Sequence, residues 1–211
     1  MIRIVIADDH AVVREGVKRI LADTRDLHVV GEARTGQEVL AIVAGQPCDV
    51  VLLDLLLPDQ SGLEVLHKLK QRFPTLPVVL FRVQPEMQYG VRALKAGAAG
   101  YLTKSSLPQE LVRAIRKVAR GRGRYVSAAL AEHLLAEVGV EANRPLHARL
   151  SNREFIVLCG TAAGKTLKEL AAELSVSPKS IATYRARTLQ KLHLKTTAEL
   201  IRYALSHQLV D

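Results

Sequence analysis

Cysteine is scarce in these 211 residues: Cys48 and Cys159 are the only two. They lie far apart and outside any CxxC or Cys/His spacing, which argues against a disulfide framework and a cysteine-based zinc site and leaves both expected as buried thiols. Long apolar runs are missing too. The longest, Val50 to Leu57, is interrupted by Asp54 and is far too short to span a bilayer. The N-terminus lacks the apolar region and cleavage site of a signal peptide, so a cytoplasmic location is expected. There is no internal repeat and no low-complexity tract. Against these absences stand 48% apolar and 24% charged side chains, a composition that excludes a disordered, collagenous or rod-like chain and suffices for one large or two small cores. Thirty Lys and Arg against twenty-one Asp and Glu give +9, a surplus that attracts nucleic acid phosphates or an anionic membrane surface.

Short β-branched runs alternate with longer helical patterns over the first half. Arg3–Ala7, Leu27–Glu32, Val50–Leu53, Val78–Phe81 and Gly100–Leu102 read as strands. Between them, apolar residues recur at helical spacing: Val13, Val17, Ile20 and Leu21; Leu63, Leu66 and Leu69; Leu111, Ile115 and Val118. Strand and helix in alternation predict a parallel sheet covered on both faces, with chemistry beyond the carboxyl ends of the strands. Near residue 121 the pattern changes. Gly121-Arg-Gly-Arg124 breaks the last helix, Ser127–Val138 gives one more amphipathic helix, and Glu141–Arg149 is polar. Residues 122–149 are therefore read as a linker. The remaining sixty or so residues carry four helical patterns and form an expected all-helical domain over 150–211. From Arg149 onward there are ten basic and five acidic residues, net +5, which leaves +4 for the 148 residues before it.

Asp8 and Asp9 follow the first strand, Asp54 ends the third, and Lys104 follows the fifth, so a parallel sheet brings them to one edge. Any single Asp there is readily explained as a helix cap or turn residue. Three carboxylates beside one ammonium are not a packing solution. Gathered like charges are costly unless a cation neutralises them, and a hard, oxygen-preferring ion such as Mg²⁺ does so. Asp54 can then act as a nucleophile toward a phosphoryl group.

Ile4-Val-Ile-Ala-Asp-Asp-His10 with Arg14-Glu-Gly16, Val51-Leu-Leu-Asp54 with Pro58 and Gly62, and Lys95-Ala-Gly-Ala-Ala-Gly-Tyr-Leu-Thr-Lys104 resemble the receiver domain of two-component response regulators over residues 1–121. The resemblance implies phosphorylation at Asp54, Mg²⁺ held by Asp8 and Asp9 together with Asp54, contact of Lys104 with the phosphoryl group, and a switch aromatic at Tyr101. It also implies a flavodoxin-like sheet of order 2-1-3-4-5. One position departs from the family pattern. Where the fourth strand ends, the family carries a Ser or Thr whose hydroxyl binds the phosphoryl group, and this chain has Arg82. A guanidinium can pair with Asp54, compete with Mg²⁺ and favour a phosphate-independent state; alternatively it points to solvent, or helps to hold the phosphoryl group once it arrives.

In the last sixty residues, Ser151 and Glu154 make a capping-box pattern. Leu167, Leu170, Ala171 and Leu174 mark a second helix. Ser177 and Pro178 open a third that runs to about Leu192. Ile181, Thr188, Leu189 and Leu192 face inward on it, and Lys179, Ala182, Thr183, Ala186, Arg187 and Gln190 fall on one outward stripe. For an isolated helix that stripe would be a solvated basic face. Behind a short helix and a tight turn, it fits the major groove of double-stranded DNA. RNA is disfavoured because only Tyr184, Tyr203 and Phe155 offer aromatic surface. Leu150-Ser-Asn-Arg-Glu154, Gly164-Lys-Thr-Leu-Lys-Glu-Leu-Ala-Ala-Glu-Leu174 and Ser177-Pro-Lys-Ser-Ile-Ala-Thr-Tyr-Arg-Ala-Arg187 resemble the LuxR-type DNA-binding domain. By that resemblance, Lys179, Ser180, Ala182, Thr183, Ala186 and Arg187 lie on the recognition helix, Lys165, Thr166, His193 and Lys195 lie near phosphates, and Thr196–Leu205 pairs two copies. The whole chain resembles a NarL/FixJ-type regulator. That implies a sensor histidine kinase as phosphodonor and a homodimer on an approximately palindromic operator. Gly160-Thr-Ala-Ala-Gly-Lys-Thr166 is one residue too short between its glycines for a nucleotide-binding loop and is preceded by helix, so no nucleotide site is assigned. A Mg²⁺-dependent aspartyl-phosphate phosphohydrolase is the competing enzyme reading; it leaves the basic domain unexplained.

Overall fold

The computed structural model describes residues 1–82, 86–121, 123–128, 130–132, 145–174 and 176–210, with the backbone only for 86–88. The first half of the chain gives β1 (Ile2–Ala7), α1 (Ala11–Ala22), β2 (Leu27–Ala33), α2 (Gly36–Gly45), β3 (Val50–Leu53), α3 (Gly62–Arg72), β4 (Val78–Arg82), α4 (Glu86–Lys95), β5 (Gly100–Thr103) and α5 (Pro108–Ala119). The strands are parallel in the order β2-β1-β3-β4-β5. Strands β4 and β5 run one residue beyond the apolar pattern, to Arg82 and Thr103, because these two residues still pair in the ladder.

Alternation along the strands divides the core. Ile4, Ile6, Leu52, Val79, Phe81 and Leu102 pack with Val17 and Leu21 of α1 and Leu111, Ile115 and Val118 of α5. Val5, Val51, Leu53 and Leu80, at the intervening positions, are also buried. Ser61 starts α3 with a capping box, its hydroxyl accepting from Glu64 N–H while the Glu64 carboxylate accepts from Ser61 N–H. Gly62 is required by crowding: a Cβ there would overlap the carbonyl oxygen of Asp54 and lie 2.8 Å from Leu55 Cα. After α5 the chain turns through Gly121 and Gly123, both at positive φ (64° and 86°), and Tyr125 makes a parallel bridge to Gly100.

The second half contains a 3-10 turn (Leu146–Arg149) and then α6 (Asn152–Ala162), α7 (Leu167–Glu173), α8 (Pro178–Lys191) and α9 (Thr197–Ser206). Each is opened by a hydroxyl cap, from Ser151, Thr166, Ser177 and Thr196 respectively. Phe155, Leu158, Leu170, Ile181, Leu192 and Leu200 are buried. The chain forms two compact units, Met1–Leu135 and Ala136–Asp211. Ser127 caps a helical start seen at 128 and 130–132, its hydroxyl accepting from Leu130 N–H at 3.1 Å; the expected continuation to Val138 lies outside the described residues, as does Glu141–Arg144. One expectation changes: Cys48 is only half-buried, with its thiol toward the Val50 carbonyl at 3.1 Å, whereas Cys159 is buried as expected. Within the stretch read as linker, residues 146–149 form a turn whose His147 N–H donates to the Tyr203 hydroxyl at 3.2 Å. No described helix is long and apolar enough to cross a membrane.

Candidate functional site

The carboxyl edge of the sheet gathers five charged side chains from four strands. Asp8 follows β1 and Asp54 follows β3, each about 1% exposed. Lys104, after β5, places Nζ 2.6 Å from Asp54 Oδ2 and 2.6 Å from Asp8 Oδ2. Arg82, the last residue of β4 and 8% exposed, places Nη1 3.4 Å from Asp54 Oδ1. Asp9 is exposed at the rim, with His10 Nδ1 2.6 Å from its Oδ1. The structure thus brings together Asp8, Asp9, Asp54, Lys104 and Arg82. The contact of Arg82 with Asp54 is longer than a strong charge-assisted bond and uses one nitrogen, unlike the bidentate fork a guanidinium can form.

Backbone geometry holds these groups in place. Asp54 N–H donates to the Ala7 carbonyl at 2.8 Å, and Lys104 N–H donates to the Arg82 carbonyl at 2.7 Å. Leu56 N–H donates to Asp54 Oδ1 at 3.2 Å, and His10 N–H donates to Asp8 Oδ1 at 2.9 Å. Arg14, quoted in the receiver motif but assigned no task there, donates from Nη1 to the Asp8 carbonyl at 2.8 Å and from Nε to Glu32 at 3.1 Å. It ties the acidic turn to β2. Its signal was the spacing of Arg14 one helical turn after His10. Tyr101 is buried on β5 and lines a cleft of about 290 Å³ with Thr103, Glu110, Tyr125 and Ser127.

Asp8, Asp9, His10 and Asp54 each present a ligand atom within 4.8 Å of the others. Three carboxylates face two fixed cations, so the pocket keeps an excess negative charge, and its oxygen donors suit a hard divalent cation. His10 is the donor that the sequence did not single out. Two of the carboxylates are buried, and a buried charge persists only when paired or bound to metal.

The helical domain presents a different surface. On α8, Lys179, Thr183, Ala186, Arg187 and Gln190 are exposed, Ala182 and Ser180 are half-buried, and Ile181, Thr188 and, beyond the helix, Leu192 are buried, with Leu189 half-buried. Ser180 belongs to the helix start: its hydroxyl is 3.0 Å from that of Ser177, and its N–H donates to Ser177 Oγ. Thr188 Oγ1 donates to the Tyr184 carbonyl at 2.8 Å and lies 3.3 Å from the Glu154 carbonyl, which fixes α8 against α6. Glu154, 3% exposed, accepts from Ser151 N–H and Lys191 Nζ, each at 2.7 Å. Burial raises its pKa, but these donors outweigh burial and hold the carboxyl below the usual range. Thirty-seven residues separate Glu154 from Lys191, so sequence spacing carried no sign of this pair. Lys165 is engaged with Glu173 at 2.6 Å. Thr166 caps α7 and, with Gly164 at φ 80° and Lys165, forms the turn between α6 and α7, so Gly160–Thr166 runs from the end of one helix to the start of the next. His193, at φ 57°, and Lys195 follow α8 and are exposed.

Residues 4–116 match the response regulator receiver domain, and residues 148–204 match the bacterial regulatory proteins of the luxR family. The response regulator UvrY of Escherichia coli strain K12 is 35% identical over 100% of this chain and 97% of its own. The response regulator GacA of Pseudomonas aeruginosa is 37% identical over 100% and 99%. Among solved structures, a LuxR-family two-component response regulator from Aurantimonas is 33% identical over 65% of this chain and 97% of that one, with a TM-score of 0.59. RcsB from Salmonella enterica serovar Typhimurium, solved on promoter rprA with the phosphomimetic BeF3-, covers 96% of this chain and 97% of that one at 23% identity and a TM-score of 0.63, a likeness of fold.

Proposed function

From the premise that the chain belongs to the NarL/FixJ-type response regulators, two-component transcription regulators with a LuxR-type DNA-binding domain, we propose that phosphorylation of Asp54 controls how the helical domain engages DNA. The observation that carries this reading is Lys104 Nζ at 2.6 Å from both Asp54 and Asp8: the ammonium is already placed where charge develops on a transferring phosphoryl group. A carboxylate oxygen of Asp54 attacks phosphorus, the bond from phosphorus to the donor breaks, and the leaving imidazole of a kinase phosphohistidine takes up a proton. Asp8, Asp9 and Asp54 would hold Mg²⁺, which when bound supplies charge against the phosphoryl oxygens. Lys104 follows the new negative charge, and Arg82 can reach it from β4.

The receiver is taken as 1–121, the connection as 122–149 and the DNA-binding domain as 150–211. Two copies, paired through α9, would set two α8 helices into major-groove half-sites about 34–36 Å apart on an approximately palindromic operator. Lys179, Thr183, Ala186 and Arg187 are the exposed candidates for base and phosphate contacts, and Lys165, Thr166, Ser180, Ala182, His193 and Lys195 flank them. A sensor histidine kinase is the expected donor and the cytoplasm the expected location. The DNA-binding domain favours a regulator over a phosphohydrolase, which would consume phosphodonor in many turnovers.

The contact between Arg82 and Asp54 favours one second reading, a degenerate receiver locked by that pair. Intact mass with a small phosphodonor and Mg²⁺ separates the two. A single added phosphoryl group, lost in Asp54→Ala, supports the switch. No addition to the natural chain with addition to Arg82→Ser supports the lock.

A further inference from the structure

After α5 the chain does not leave the receiver. Tyr125 N–H donates to the Ala99 carbonyl at 2.7 Å and Tyr125 bridges Gly100, so residue 125 extends the sheet beyond β5. Its phenol donates to Glu110 Oε1 of α5 at 2.8 Å, and Lys117 Nζ sits 5.9 Å from its ring centroid. Arg124 Nη1 donates to the Leu94 carbonyl, at the end of α4, at 3.1 Å. Six residues on, Leu130 is 0% exposed and packs with Val126 against Val91 and Leu94 of α4. Gly100 eases this close approach: a Cβ there would lie 3.0 Å from the Tyr125 carbonyl oxygen and 3.1 Å from Tyr125 Cβ, tighter than most Cβ contacts. The segment is therefore fastened to β5, to α5 and to α4 by three different kinds of contact.

We infer that the segment holding Arg124, Tyr125, Val126 and Leu130 forms a strap, docked in cis on the α4–β5 face, that links the phosphoacceptor pocket to the connection leading into the DNA-binding domain. The inference rests on the proposed phosphoswitch and adds the part that carries its output. Arg82 closes β4, α4 is the next element, and the strap is held by the last turns of α4. Tyr101, one residue after Gly100, lines the same cleft as Tyr125 and Ser127. When Arg82 and Lys104 follow the new phosphoryl charge, α4 and the start of the β5–α5 loop move with them, and the contacts of Leu94 with Arg124 and Leu130 loosen. The strap also occupies the β5 edge at Gly100, so a second copy cannot pair there while it is docked. Release would change both the freedom of the connection and the surface open for pairing.

The test uses the full chain and its Tyr125→Ala and Leu130→Asp variants, none of which touches the acidic pocket. Hydrogen exchange at the Tyr125 and Leu130 amides reads the strap, intact mass reads Asp54 phosphorylation, and anisotropy on a duplex selected from a random pool reads DNA affinity. Expected are protected amides in the unphosphorylated natural chain, at least tenfold faster exchange with phosphodonor, and full labelling of both variants. In the variants the ratio of affinities with and without phosphodonor should fall toward one. Unprotected amides in the natural chain, or variants with exposed amides that keep the natural affinity ratio, overturn the strap. Failure of every chain to be labelled overturns the phosphoswitch instead, while amide protection still reports whether the strap is docked.

Discussion

Replacing Arg82 by Thr removes the guanidinium 3.4 Å from Asp54 Oδ1 and supplies the hydroxyl the family pattern carries. Two unit charges at that separation attract by about 5 kcal/mol at an effective dielectric near 20. The guanidinium charge is spread over several atoms, burial has already cost it solvation, and Asp54 keeps Lys104 and Leu56 N–H, so the net loss is about 2 kcal/mol, below the range for breaking a fully buried pair. In metal-free buffer the receiver of Arg82→Thr should melt roughly 6–8 °C below the natural protein. Mg²⁺ should reverse the order of gains. With one cation fewer beside the carboxylates, the variant should bind Mg²⁺ about thirtyfold more tightly, since each 1.4 kcal/mol is tenfold. Saturating Mg²⁺ then raises its melting temperature by more than that of the natural chain and closes the gap. Calorimetric melts and titrations of both proteins with Mg²⁺ measure this. Equal Mg²⁺ affinities, or a gap unchanged at saturating Mg²⁺, would refute the idea that Arg82 and the divalent ion compensate the same charge.

Gly62→Ala forces a Cβ into the Asp54 carbonyl; strain of about 1–3 kcal/mol is expected, with slower Asp54 labelling, both read by melts and by mass spectrometry over time. Glu154→Gln keeps an acceptor for Ser151 but loses the charge facing Lys191, which is 43% exposed and therefore screened; a loss of about 1 kcal/mol in the helical domain is expected at neutral pH. Because the folded pKa of Glu154 lies below its ordinary 4.5, the stability it adds is present above pH 4.5 and fades as pH falls through the folded value, so melts of the two proteins should converge in acid. Arg187→Ala should cost about 1–3 kcal/mol on the selected duplex and relax preference at the bases it reads, whereas Lys179→Ala should weaken all sequences alike and lower the salt slope by about 1 if it contacts phosphate; anisotropy across a salt series distinguishes them.

The sheet and its acidic edge were legible because two local signals coincide there: short apolar, mostly β-branched runs of three to six residues, and carboxylates or a lysine just after them. The caps at Ser151 and Ser177 were legible for the same reason, since their partners lie three residues away. Contacts made across the fold were not. The Arg82 position was visible as a departure, but whether its guanidinium forks onto Asp54 or touches it at one nitrogen depends on where β4 ends, one residue past the apolar pattern. Gly121 to Arg124 reads as a breaker, and it does end α5; the bridge that follows uses main-chain atoms of Tyr125 and leaves no periodicity to find. Cys48 was expected in the core from residue type alone, yet it sits half-buried on the approach to β3, with its thiol against the Val50 carbonyl.

The central claim is that charge placed on Asp54 changes how two recognition helices meet DNA. The most direct measurement is the affinity and stoichiometry of the full chain on a selected two-half-site duplex, with and without acetyl phosphate and Mg²⁺, beside Asp54→Ala. Expected are two chains per duplex, tighter binding by at least tenfold on phosphorylation, and no response from Asp54→Ala. Binding that is identical with and without a verified phosphoryl group on Asp54, or a response that survives in Asp54→Ala, would contradict it.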